Sequence, residues 1–216
     1  MGLGILEEYI ENGDAIAIDN LLHNTPSLAT QKTSHGISPL LLACYYNKPK
    51  LAKIILGHLE NVDIFEAAAI GLLEETIKIL EERPDAINQF SDHGFTALAL
   101  ATHFGNEDIV RHFLKSGADP NLESENGYHV YPLHTAVSSG FEGIAKMLIE
   151  AGAEVNVLQS SNMTPLHYAA EKGNIELLII LLEGGASVAT KNDSGKTAAD
   201  LAAERGHHEI AQILKV

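Results

Sequence analysis

The sequence has one cysteine, Cys44, and no tryptophan. A lone cysteine excludes an internal disulfide and a Cys-rich zinc site, and fits a reducing compartment. Cys44 reads as a small buried hydrophobe rather than a reactive thiol. Positive charge is scarce: Lys+Arg 14 against Asp+Glu 29 gives a formal net charge of −15. Such a field repels phosphate backbones and anionic bilayers, so nucleic-acid and membrane partners are not expected. No stretch approaches the ~18 consecutive apolar residues of a spanning helix. The opening MGLGILEEYIENGD has neither the basic n-region nor the small-residue cleavage site of a secretory signal, so the expected location is cytoplasmic. Aromatic residues make up only 6% of the chain, which disfavours an aromatic-rich β-sandwich and suits small-residue packing between helices. What is present, 45% hydrophobic and 20% charged residues over 216 positions, is enough for one globular or repeat domain and too apolar for a disordered chain.

The chain repeats itself. Thr164-Pro165-Leu166-His167-Tyr168-Ala169-Ala170 is followed by Gly173, an apolar-periodic run to Leu182, and Gly185-Ala186. Thr197-Ala198-Ala199-Asp200-Leu201-Ala202-Ala203 with Gly206 begins 33 residues later. Towards the N-terminus, Tyr131-Pro132-Leu133-His134-Thr135-Ala136 carries Gly140 and Ala151-Gly152-Ala153-Glu154-Val155-Asn156. Thr96-Ala97-Leu98-Ala99-Leu100-Ala101 carries Gly105 and Ser116-Gly117-Ala118-Asp119-Pro120-Asn121. Weaker units run from Ser38, with Asn47 in the glycine's place, from Val62 to Gly71, and from about Leu3 through Gly13 to Leu28.

These units resemble the ankyrin repeat, whose unit reads D-x-x-G-x-T-P-L-H-x-A-A-x-x-G, then a second helix, then G-A-D-V-N. The resemblance implies an all-α solenoid of stacked helix-turn-helix units with β-hairpin fingers, elongated and monomeric. It is expected as a single domain, 1–216, of about seven units: approximately 3–28, 35–58, 62–88, 91–121, 125–156, 159–188 and 192–216. Local chemistry points the same way. A threonine before proline supplies a hydroxyl N-cap and a preset φ at the first helical position. Glycine or asparagine then offers a left-handed stop after about eight residues, as at Gly105, Gly140, Gly173 and Gly206. Helices that short are marginal alone, so each must bury its apolar face against the next unit. Ala101, Ala136, Ala169 and Ala202 recur where close helix approach demands a small side chain.

Departures from the period carry information. Ser38 to Val62 is 24 residues, so the loop after the second unit is expected to lack its finger. Thr96 to Tyr131 is 35, so the finger around Glu125 to Val130 is expected to be longer and to protrude. Asp200 and Lys215 replace the repeat's histidine and an aliphatic, giving a polar last unit that reads as a cap.

Eleven histidines invite metal or catalytic readings. The resemblance gives His134 and His167 a structural role, bonding backbone between units. His207, His208 and Glu209 are adjacent and lack the i, i+4 spacing of a helical zinc pair. Glu7-Glu8, Glu74-Glu75 and Glu81-Glu82 lie on polar stretches of helix, so solvated faces are expected rather than acid/base pairs. No G-x-G-x-x-G follows a strand, and Walker and G-x-S-x-G motifs are missing from the sequence. No enzyme, cofactor or metal is therefore expected.

The resemblance places binding on the concave face and fingertips. The two residues before each glycine position are Tyr45-Tyr46, Ala69-Ile70, His103-Phe104, Ser138-Ser139, Glu171-Lys172 and Glu204-Arg205. With fingertip residues Phe95, Tyr128 and His129, they form an apolar and aromatic set towards the N-terminus and a charged one towards the C-terminus. The candidate partner-binding residues are Tyr45, Tyr46, Ile70, Phe95, His103, Phe104, Tyr128, His129, Glu171 and Lys172. The competing reading is that Tyr45 and Tyr46 fill the space of the missing finger. The expected function is a non-enzymatic scaffold, adaptor or inhibitor that binds another protein. The alternative is the repeat part of a larger enzyme regulator or effector whose catalytic domain lies outside this chain. Ile179, in the outward slot held by Arg111 and Lys146 elsewhere, is a lone exposed aliphatic of no implied role.

Overall fold

The computed structural model describes residues 2–215. The chain divides into two compact units, Met1–Ala86 and Ile87–Val216. The first holds three helix pairs: α1 (Gly2–Asn12) with α2 (Ala15–Asn24), α3 (Pro39–Tyr45) with α4 (Pro49–Leu56), and α5 (Ile64–Ile70) with α6 (Leu73–Glu82). The second holds four: α7 (Ala97–His103) with α8 (Glu107–Lys115), α9 (Pro132–Ser139) with α10 (Glu142–Glu150), α11 (Pro165–Lys172) with α12 (Ile175–Glu183), and α13 (Ala198–Glu204) with α14 (His208–Ile213). Within each unit first helices pack on first helices in series, α1 on α3 on α5 and α7 on α9 on α11 on α13. This is an all-α repeat stack.

The starts of the first helices follow from their caps. The hydroxyls of Ser38, Thr96, Thr164 and Thr197 each accept the amide three residues on. Asp63 does the same from Glu66, so the third repeat begins at Asp63, one residue after the Val62 that the spacing suggests. Tyr131 has no short hydroxyl to offer, and its helix starts without a side-chain cap. The stops are left-handed residues at Gly140 and Gly173, and Asn47 takes that conformation (φ 53°) in the glycine's place.

Alanine is what lets the helices approach. Ala101, Ala136, Ala169 and Ala202 are fully buried, at the contact that larger side chains would wedge open. Around them, Phe113, Leu98, Ile109, Leu133, Leu148 and Leu166 fill the second unit. Leu6, Ile10, Ile18, Leu22, Leu40 and Ile55 fill the first, with Cys44 partly buried against them. Burial and the charge of Glu66 push the Cys44 thiol up to about 11, so it stays protonated and unreactive at neutral pH.

The fingers are tight turns. The amide of Thr33, Ser91, Gln159 or Asn192 bonds the carbonyl of Ile37, Phe95, Met163 or Lys196 respectively. Among the described residues the only bridges outside helices are isolated ones, Phe90 to Thr96 and Gln159 to Met163, so the fingers are shorter than strand-built hairpins. The finger closed by Ser124 and Val130 spans two residues more than the others, and residues 57–63 join α4 to α5 with no finger at all.

Two polar ties recur between neighbouring repeats of the second unit. His134 and His167 bond backbone carbonyls of the next repeat, Met163 at 3.0 Å and Lys196 at 3.2 Å. Asn88, Asn121 and Asn156 each donate to a glycine carbonyl (Gly117, Gly152, Gly185) and accept the amide two residues beyond that glycine. Thr164 supports both its helix and the histidine tie, since its hydroxyl accepts the His167 amide to cap α11 and meets Nδ1 of the same histidine at 2.8 Å. Thr164→Ala is therefore expected to lower stability by about 1 to 2 kcal/mol, with urea unfolding as the measurement. An unchanged midpoint would remove the cap from the account.

Candidate interaction surface

In the first unit, Tyr45 closes α3 and Tyr46 is its C-cap; their side chains are 41% and 39% exposed. Neither ring is swallowed by the space of the missing finger. Ile70, at the end of α5, behaves differently: it is half-buried and packs against the core, so its contribution to a surface is small.

In the second unit, His103 and Phe104 end α7 and meet edge to face with ring centroids 4.8 Å apart. His103 is exposed and Phe104 half-buried. Burial nonetheless lowers the His103 pKa, which keeps this pair uncharged near neutral pH. Phe95 is not at a tip. It closes its finger through backbone bonds to Ser91 and is half-buried.

The long finger is where the protrusion lies. Asn126 Oδ1 accepts the Ser124 hydroxyl at 2.8 Å and the Tyr128 amide at 3.2 Å, while the Ser124 hydroxyl accepts the Val130 amide. These bonds hold the tip and leave Tyr128 65% exposed. His129 sits at φ 52°, with Nδ1 3.0 Å from Glu123. That bond leads the causes that draw the Glu123 carboxyl below its ordinary range.

Glu171 and Lys172 end α11. Lys172 is exposed, whereas Glu171 is half-buried and engaged by Arg205 of the next repeat, whose Nε donates to it at 3.1 Å. Lys196 and Glu204 form a second pair at 2.7 Å, inside the last repeat. The charged end of the set thus spends part of its charge between repeats.

Sequence reasoning missed a row of rings. Tyr131, His134 and Tyr168 lie with centroids 5.8 and 6.0 Å apart, the two tyrosines half-buried on either side of the buried histidine. The signal was available: Tyr131 stands where the motif wants threonine, and Tyr168 follows a motif histidine. The same replacement leaves His134 Nδ1 without a hydrogen-bond partner, where His167 has Thr164. Ile179 is 49% exposed on α12, as its slot implies. Among the described residues no three His, Cys, Asp or Glu side chains group as metal ligands, and no helix is long and apolar enough to cross a membrane.

Paired short helices, tight fingers, and histidine and asparagine ties one repeat apart define a helical repeat protein of the ankyrin class. The chain belongs to that family: the model described as ankyrin repeats (3 copies) matches residues 6–124, 64–159 and 133–215. It is similar to ankyrin repeat and SAM domain-containing protein 6 of Rattus norvegicus, 34% identical over 90 residues, 42% of this chain and 10% of that protein. It is also similar to the probable 26S proteasome regulatory subunit p28 of Saccharomyces cerevisiae, 29% identical over 157 residues, 73% of this chain and 59% of that one. Protein phosphatase 1 regulatory subunit 27 of Mus musculus is 34% identical over 84 residues, 39% of this chain and 53% of its own length. The match therefore spans less than two thirds of each of these relatives. Ankyrin repeats are a protein-interaction module.

Proposed function

We propose that the chain is a non-enzymatic scaffold, adaptor or inhibitor that binds a partner protein through the ends of its first helices and its fingertips. The observation that carries this reading is the exposure of Tyr45, Tyr46 and Tyr128 at positions fixed by helix ends and by the Asn126-braced finger. Aromatic side chains held rigidly in water lose little entropy on binding and gain most from desolvation. The −15 charge steers basic partners and speeds encounter at low salt, but is screened beyond about 8 to 10 Å at physiological ionic strength. Affinity then rests on the rings. Two of the relatives are named as regulatory subunits, which supports a role exerted on another protein. The small share of the rat protein that is matched favours a second reading, in which the repeats serve a larger regulator or effector. The full gene length separates the two.

Tyr46→Ala and Phe104→Ala are each expected to weaken binding by about 2 kcal/mol, mainly through faster dissociation, with the fold intact. The measurement is affinity capture from native lysate with the intact protein beside the Tyr45→Ala, Tyr46→Ala, Phe104→Ala triple variant, followed by dissociation kinetics on the captured partner. Variants that bind normally but melt earlier would show these rings to be packing residues.

A further inference from the structure

Three pairs of successive second helices lie closely against one another, α2 on α4, α8 on α10, and α10 on α12. In the first unit α4 and α6 meet much less closely, as α12 and α14 do in the second. Between them is a groove of about 500 Å³. The shortened connection borders it: residues 57–63 pass from α4 to α5 without a finger. The groove's apolar lining comes from Leu56 at the end of α4, Leu59 and Val62 in the connection, and Leu72 and Ile79 of the α6 segment. All five are half-buried, which is the state of a side chain with one face still in water. At the rim stand Glu60, Glu75 and Glu82, with Lys78 4.0 Å from Glu75 and Arg83 at the C-terminal end.

We propose that this groove is a second docking site, separate from the helix-end and fingertip surface, and that its occupant is an amphipathic helix of a partner protein with aliphatic anchors on one face and Lys or Arg on its flanks. The five aliphatic side chains in an otherwise polar lining call for aliphatic anchors on one face of the occupant. Charge sets the flanks: Glu60, Glu75 and Glu82 at the rim, with Glu74 and Glu81 further round α6, outnumber Lys78 and Arg83, and Lys78 already sits beside a glutamate. Backbone chemistry selects a helix over an extended strand. The long wall of the groove is the helix α6, whose main chain has no open edge for a strand to pair with, and across from it the amides of Gly57, His58 and Leu59 are already bonded to carbonyls of α4. A helix brings its own main-chain bonds satisfied. The lining from Leu72 to Glu82 runs about 15 Å along the α6 axis, room for roughly three turns.

The test uses the full chain, ¹⁵N-labelled, and a synthetic stapled helix of about four turns with leucines at i, i+4 and i+7 and lysines elsewhere. The expected result is amide shifts confined to residues 56–62 and 72–83, and affinity weakened roughly tenfold by the Glu75→Lys, Glu82→Lys double variant. That variant alters only exposed carboxylates and should melt as the parent does; Ile79→Asp should abolish binding. Tyr46→Ala should leave the peptide's affinity unchanged, so failure here and failure of the helix-end surface are told apart. Four results would overturn the proposal: shifts centred on Tyr45, Tyr46 or Phe104, equal binding of a peptide with asparagine for leucine, no binding at millimolar peptide, or sedimentation of the free chain as a dimer that Ile79→Asp dissociates.

Discussion

Gly94→Ala is expected to destabilise the protein by about 2 to 4 kcal/mol, and Gly195→Ala, at the matching place in the last finger, by only about 1 kcal/mol. The two glycines share the left-handed backbone, φ 71° and 73°. A side chain there costs about the same at both. They differ in what a methyl would strike. At Gly94 it would lie 2.9 Å from the amide nitrogen of Asn126 and from the carbonyl carbon of Glu125, backbone atoms that cannot swing aside, whereas at Gly195 nothing lies within 4 Å. The Gly94 carbonyl also accepts the Glu125 amide at 2.8 Å, so relieving the clash would break the bond that seats the long finger. Denaturant unfolding of the two variants in parallel isolates the energy of finger-on-finger contact. Equal losses would mean that the fingers do not bear on each other in solution.

Stability is expected to fall as the pH drops from about 6.5 to about 4, with His134 alone contributing about 3 kcal/mol across that window. Burial lowers its pKa from 6.5 to about 4, and the bond to Met163 only partly offsets this. Between those values the unfolded chain binds a proton that the folded ring refuses, so the proton stabilises the unfolded state. Above pH 6.5 neither state is protonated and the contribution is complete. His167 is shifted the same way by the same cause. The check is the unfolding midpoint of the parent and of His134→Leu at intervals from pH 4 to pH 8. The difference should close on the acid side, because the variant lacks the proton acceptor. A parallel offset at every pH would show that the ring titrates normally.

The repeat framework was legible because its signals are local and sum over many copies. A threonine before a short helix, an alanine every 33 to 35 residues and a glycine after each first helix act through bonds and contacts within reach of the residue itself. The missing finger and the long one could be read from interval lengths alone. The surface was less legible because position in the motif says where a side chain starts and not where it ends. Phe95 and Ile70 occupy places that the pattern leaves in water, yet both are half-buried. Glu171 reads as a free charge until Arg205 arrives from the next repeat. The Tyr131, His134 and Tyr168 row and the α4–α6 groove depend on neighbours one repeat away, and no single window contains them.

The asparagine ties of Asn88, Asn121 and Asn156 all bridge 29 to 33 residues, and the histidine ties 29. Ala189 takes the asparagine's place after Gly185, so that series ends there. Order in residues 87–215 thus passes from hand to hand, each repeat knowing only the one beside it. Chain closures stay short, folding has many possible starting points, and a whole repeat can be duplicated or lost in evolution without redesigning the rest. The repeat after Ala189 lacks that tie and is held to the one before it by the His167 bridge, the Arg205–Glu171 pair, the bonds of Asp193 to Ser161 and Asn162, and the packing of α13 on α11.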